Sequence, residues 1–412
     1  MQPCARTVPT ELPAPVPPAA DAARDDVIAA ARDSLGHWLR AGDQVRFDCG
    51  PALVAVLLHQ RTPDDLTAEA MTMWLRRLST APQHPGLHNG GLAARLAGLR
   101  LLSPFLPALD SVAEQADATL DAAGRQGLWA TEHVAFTDYD LISGPSGVLL
   151  AQSLNPDGMR RAHAVTAHLT RLCDAEDLNR LRIGAYRDDV LNSWCHGRVN
   201  TGLGHGVPGI AVALAAALRV RPGDGAVAEA LARLTRWLIA HTEGPSDRDG
   251  MIRWPVADRR AAKPARRQAW CYGTPGIAWA LHQAGRALER AGHPESTPAR
   301  ELARIAFRSV CRHYREEDHL VDEQPAGARL AVCHGSAGML ALTEAFCHTG
   351  GPGEAAALRA RLLAGLTPRL DAVTALARTD MSLLTGAAGT LAVLLVTLRQ
   401  ADRHWMPLIG LE

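Results

Sequence analysis

Trp270-Cys-Tyr-Gly-Thr-Pro-Gly276 and Val332-Cys-His-Gly-Ser-Ala-Gly338 say nearly the same thing 62 residues apart. Each sets metal-ligating residue types just ahead of a Gly-x-x-Gly turn, and each turn leads into an apolar run of helical length. The turn recurs as Gly144-Pro-Ser-Gly147, Gly206-Val-Pro-Gly209 and Gly386-Ala-Ala-Gly389. Two weaker copies, Gly50-Pro-Ala-Leu53 and Gly90-Gly-Leu-Ala93, lack the second glycine. Intervals of 40, 54, 62, 67, 62 and 51 residues separate the seven starts. Each has room for two helices and two loops.

The runs after the turns, such as Ile210-Ala-Val-Ala-Leu-Ala-Ala-Ala-Leu218 and Thr390-Leu-Ala-Val-Leu-Leu-Val396, are apolar nearly all round, which marks helices buried on most sides. Between them lie segments with one apolar stripe and a charged face, such as 225–241 and 299–314, which read as outer helices. Pro145, Pro208 and Pro275 fall near the first helical turn, where a missing N–H costs nothing. Buried and amphipathic helices alternating about seven times predict an all-α fold, an α/α toroid of about seven inner and seven outer helices over residues 26–412. An open solenoid would need polar end caps, whereas the chain ends in Trp405-Met-Pro-Leu-Ile-Gly-Leu411, so a closed ring is expected. Side chains preceding each turn then converge on one rim.

Composition agrees with this. Of 412 residues only 4 % are aromatic, and Ala and Leu dominate, as close helix packing requires. Lys+Arg and Asp+Glu both total 43, which leaves no overall field to draw nucleic acid or acidic lipid. No apolar stretch approaches the ~18 residues of a transmembrane helix. Residues 1–25, rich in Pro and Ala, read as a disordered leader rather than a secretion signal. The stretch 178–200 contains strand-like pieces, Ile183-Gly-Ala-Tyr186 and Asp189-Val-Leu191, with room for a small β insertion. Eight irregularly spaced cysteines in a long chain without a signal peptide argue for metal or thiol chemistry over disulfides, and for a cytoplasmic protein.

Cys271, Cys333 and His334 are the candidate ligands. Two thiolates and an imidazole suit Zn²⁺ and leave a fourth position open. Against this stands the frequency of inert buried cysteines in helical cores. Two other Cys-His pairs serve as controls. Cys347-His348 falls a helix length from its turn, at the wrong rim, and Cys195-His196-Gly197 lacks the x-x-Gly and the apolar helix. Both read as structural. Cys4, Cys49, Cys173 and Cys311 have no partner nearby.

Asp140-Leu-Ile-Ser-Gly-Pro-Ser-Gly147, Gly204-His-Gly-Val-Pro-Gly209, Trp270-Cys-Tyr-Gly-Thr-Pro-Gly276 and Cys333-His-Gly-Ser-Ala-Gly338 together resemble the lanthionine synthetase C proteins, the cyclases of lantibiotic biosynthesis. The resemblance covers five repeats, from about residue 85 onward. It implies a zinc enzyme acting on a precursor peptide whose Ser and Thr are already dehydrated. The reaction implied is Michael addition of a cysteine thiol to dehydroalanine or dehydrobutyrine, which closes a thioether ring. Implied partners are a dehydratase and a transporter, with any peripheral membrane association supplied by them. Metal coordination makes a thiol the thiolate that such chemistry needs.

Addition leaves an enolate that needs a proton at Cα. His205, at the repeat position of Tyr272 and His334, is expected to be the general acid, with a helix-N-terminal structural role as the alternative. The resemblance matches Asp140 to an aspartate that orients or shares the proton. It matches Arg267, four before Cys271, to an arginine near the metal that stabilises the enolate oxygen or holds Asp140. Arg266 is adjacent. Tyr272 would position the substrate or bond a metal-bound water, and Trp194 and Trp270 would wall the cavity or pack the core.

Two rival readings keep the fold. Protein prenyltransferases are zinc-bearing helical toroids, but they use a carboxylate ligand and a basic, aromatic-rich pocket, neither of which is evident. A non-catalytic thiol- or glutathione-binding scaffold would have no use for Asp140, His205 and Arg267 together.

Overall fold

The computed structural model describes residues 19–42, 45–88, 90–258, 267–320 and 326–412. Residues 1–18, most of the expected leader, lie outside the described residues. The first described helix starts at Ala19, ahead of position 26. Among the described residues the helices run α1 (Ala19–Ala41), α2 (Gly50–Arg61), α3 (Asp65–Arg76), α4 (Leu92–Leu102), α5 (Leu109–Arg125) and α6 (Pro145–Gln152). There follow α7 (Pro156–Arg161), α8 (His163–Leu172), α9 (Val207–Val220), α10 (Gly225–Ala240), α11 (Thr274–Arg290) and α12 (Ser296–His313). The last are α13 (Glu316–His319), α14 (Ser336–His348), α15 (Ala355–Leu366), α16 (Leu370–Ala377) and α17 (Ala387–Thr397).

All seven predicted turns start an inner helix: α2, α4, α6, α9, α11, α14 and α17. Their residues are buried almost all round, each packs on the next, and α17 packs on α2. The ring is therefore closed, an α/α toroid. Six outer helices, α3, α5, α8, α10, α12 and α15, each follow their inner helix. The seventh outer place is filled from the other end of the chain, by α1, which lies on α16, α17 and α2. That seam could not be read from the repeat, because α1 precedes the first turn.

The second glycine of each turn has one steric purpose. A Cβ at Gly147, Gly209, Gly276, Gly338 or Gly389 would collide with the carbonyl six residues upstream: Leu141, Leu203, Trp270, Val332 or Leu383 respectively. Helix and entering chain thus meet backbone to backbone. This draws the entering segments together, and they are stitched in sequence. Leu87 N–H donates to Ile142 O (3.1 Å), Leu141 to Gly204 O (3.1 Å), Leu203 to Cys271 O (2.7 Å), Cys271 to Cys333 O (3.2 Å) and Cys333 to Leu384 O (2.9 Å). Leu383 N–H closes onto Asp48 Oδ1 of the first turn (2.8 Å).

The apolar end of the chain fills the bore. Trp270 Nε1 donates to Ile409 O (2.9 Å) and Trp279 Nε1 to Gly410 O (2.7 Å), and Leu408, Ile409 and Leu411 are buried. The segment reverses at Gly410, and Glu412 pairs with Arg219 and Arg286 near the far ends of α9 and α11.

The small β-element is present, but not in 178–200. It is a hairpin of β1 (Gly244–Pro245) and β2 (Ile252–Arg253). The stretch 178–200 forms 3₁₀ turns at Asn179–Leu181 and Ser193–Cys195, with Asn200 in an isolated bridge to Ala257. Asp189 explains this. Its Oδ1 takes the N–H groups of Leu191 (2.8 Å) and Asn192 (2.7 Å), which folds the supposed strand into a turn with Val190 and Leu191 exposed at its tip. Among the described residues no helix is long and apolar enough to cross a membrane.

Gly389→Ala should lower stability by about 2–4 kcal/mol, because the added methyl meets Leu383 O and Val332. Gly353→Ala, where a Cβ meets nothing within 4 Å, should be neutral. Denaturant titration checks this, and equal stability of the two variants would contradict the close-approach role.

Candidate active site

Counting the seven glycine turns in chain order as stations one to seven, station five brings Cys271 to the rim in a bend that only glycine can complete. Gly273 has φ +98°, and a Cβ there would meet Gln268 Oε1 (2.6 Å) and Arg267 O (2.7 Å). Gln268 Oε1 accepts Thr274 N–H (2.8 Å) at the start of α11. Station six carries Cys333 and His334 in the turn just ahead of α14, outside regular helix. The Cys271–Cys333 backbone bond sets the two turns side by side. The ligand atoms of Cys271, Cys333 and His334 all lie within 4.8 Å of one another.

Electrostatics separates Cys271 from the other thiols. Burial pushes Cys195 up to about 11 and Cys311 up to about 12, and it raises Cys49, Cys173 and Cys347 as well. Burial would do the same to Cys271. Hydrogen bonds from Cys333 and His334 and the charges of His334 and Arg267 instead hold it well below the usual thiol range. The described cysteines are free thiols.

One look-alike pair is otherwise engaged and the other lies at the far end of its helix. Cys195 Sγ donates to Asn192 O (2.8 Å) and His196 Nδ1 to Ala185 O (2.9 Å). Cys347-His348 ends α14, roughly 20 Å of helix from the turn.

Station three supplies Asp140, only 1 % exposed. Its Oδ1 takes the N–H groups of Ser143 (2.7 Å) and Gly144 (2.8 Å), which closes the turn, while Oδ2 accepts from His205 Nδ1 (2.5 Å). Asp48, Asn200 and Asp380 cap their own turns in the same way, so capping alone is structural; the bond to His205 is what Asp140 adds. Burial lowers the His205 imidazole, yet the Asp140 bond and charge, with the Cys271 sulfur, leave it above the ordinary histidine value despite opposition from His334. His205 follows Gly204, where an added Cβ would touch Cys271 Cβ at 3.6 Å. Its ring stacks on Phe136, with centroids 4.6 Å apart.

Tyr272 OH accepts from Asn200 Nδ2 (2.7 Å), and its ring meets Trp194 edge-on at 6.3 Å. Burial raises its hydroxyl far above the phenol range, so it keeps its proton. Trp270 is core, tied to the bore segment, whereas Trp194 is half-buried and packs on Tyr272. Asn200 and Phe136 were not predicted. Asn200 had a signal, an Asx residue six positions before Gly206 as Asp380 is before Gly386; Phe136 had none.

A model of the family described as "Lanthionine synthetase C-like protein" matches residues 49–407. The chain belongs to this family. Among solved structures it is similar to nisin cyclase, with a TM-score of 0.70 and 17 % identity over 95 % of this chain and 97 % of that one, a likeness of fold. No curated protein matches by sequence.

Two measurements probe this geometry. Cys333→Ser should lose most bound zinc at micromolar metal while Cys195→Ser keeps it; equal occupancy would refute the assignment. Asp140→Asn should lower the His205 pKa, because burial then acts against a weaker partner. An NMR titration with no shift would show that Asp140 does not set it.

Proposed function

We propose that the chain is a zinc-dependent lanthipeptide cyclase. Its substrate is a precursor peptide bearing dehydroalanine or dehydrobutyrine, supplied by a dehydrating enzyme. The observation that carries this reading is the convergence of Cys271, Cys333 and His334, with the His205–Asp140 pair beside them on the same rim. The donor set fits zinc: two thiols, one already favouring thiolate, and an imidazole. Zinc held there would supply the acidification that keeps a substrate thiol as thiolate near neutral pH.

The chain's own residues account for the remainder. Substrate sulfur adds to Cβ of the dehydroamino acid, the π electrons move to an enolate, and a proton must reach Cα. His205 uses Nδ1 on Asp140, which leaves Nε2 to carry that proton. The Asp140 bond and charge raise the His205 pKa and so favour the imidazolium, and activity on the basic side falls as pH passes through that pKa. Arg267 offers a fixed positive charge toward the enolate oxygen. Tyr272, held by Asn200 and backed by Trp194, forms a wall that positions the peptide. The substrate loses S–H and gains Cα–H, so mass is conserved.

Incubation with dehydrated precursor should convert free thiols to thioethers without a mass change, as read by alkylation mass spectrometry. His205→Ala should be slower by about 10²-fold or more. A zinc-loaded protein that leaves every cysteine alkylatable would instead favour the thiol-binding scaffold.

A further inference from the structure

We propose that Phe136, held by Tyr186, is a positioning residue that fixes the plane of the His205 imidazole for proton delivery. The inference rests on His205 being the proton donor. A single bond from Nδ1 to Asp140 anchors one edge of the ring but leaves it free to swing about that bond. A planar group on the ring face removes the freedom. Phe136 is that group, with centroids 4.6 Å apart and planes at 28°.

Both contacts to His205 come from one rigid piece of chain. Phe136 O accepts the N–H groups of Tyr139 (3.2 Å) and Asp140 (2.9 Å), so face and edge partners move together. Tyr186 locks that piece from outside. Its OH accepts Phe136 N–H (3.2 Å), and its ring lies 5.1 Å from the Phe136 ring.

The loop carrying Tyr186 is held in an unusual conformation to do this. Tyr186 has φ +67° and His133, across from it, φ +52°, the left-handed region that L residues seldom occupy. Gly184 N–H and Ala185 N–H both donate to Val134 O (3.0 and 3.4 Å), and a Cβ at Gly184 would meet His133 Cα at 2.5 Å. Strain of this kind persists where the surroundings over-determine it, and it gathers at functional sites. The stretch from Ile183 to Tyr186, which looked like a strand in the sequence, is thus the brace behind the proton donor. The charged and titratable groups acting on His205 itself are Asp140, Cys271 and His334, none of which is altered by changing Phe136.

The test uses the zinc-loaded full chain and a synthetic peptide with one dehydroalanine and one cysteine. Phe136→Leu should lower kcat by about 10-fold with KM within about twofold, and Phe136→Tyr should restore the rate. Tyr186→Phe, which keeps both rings, should cost about 3-fold alone and nothing further in the Phe136→Leu background. In a His205→Asn background Phe136→Leu should have no effect. An unchanged kcat, or the same loss without His205, would overturn the proposal. If His205→Asn itself keeps the wild-type rate, the proton-donor reading fails, a result distinct from failure of the brace. A readout independent of turnover is the NMR position of the His205 ring protons, identified by their loss in His205→Asn. They should lie upfield and move downfield in Phe136→Leu; no movement would refute the stack.

Discussion

Everything at the rim depends on a succession of backbone hydrogen bonds between neighbouring turns. Each entering segment donates one or two N–H groups to the next station, from Leu87 round to Cys333, and Leu383 closes on Asp48. The bonds are buried, where an unmade one costs about 1–3 kcal/mol, so their register is strongly held. One of them joins Cys271 to Cys333. The thiols therefore converge because the fold's own stitching places their α-carbons side by side, before any metal is considered. The price is paid in side chains: five glycines on the helix side, where a Cβ would strike the entering carbonyl.

The same turn serves different purposes round the ring. Asp48, Asp140, Asn200 and Asp380 each cap their own turn. At station one the carboxyl oxygen that caps also joins the two ends of the ring, and burial pushes the pKa of that carboxyl up to about 7. At station three the second oxygen is turned on His205, and at station four Asn200 uses its amide to hold Tyr272. The repeat thus provides equivalent points, and the capping side chain makes a different second contact at three of them.

Much of this was legible in the sequence. The glycine turns announced the inner helices because their spacing follows from backbone contact, which tolerates few alternatives. Cys333-His334 differs from its two look-alikes because only that pair stands just ahead of a glycine turn that starts an inner helix. Other features were not legible. The seventh outer helix comes from before the first repeat, and the apolar end of the chain fills the bore rather than capping a helix. Val190-Leu191 looked strand-like by composition, yet Asp189 turns it outward. Phe136 acts through a ring contact with a residue 69 positions away (136 to 205), which no local pattern encodes.

If this stitching makes one metal site from two stations, X-ray absorption at the zinc edge of the purified full chain should show it. About one zinc per chain is expected, with two sulfur and at least one imidazole nitrogen neighbour, the sulfur at about 2.3 Å. Zinc surrounded by nitrogen and oxygen alone, or by four sulfurs, would contradict it.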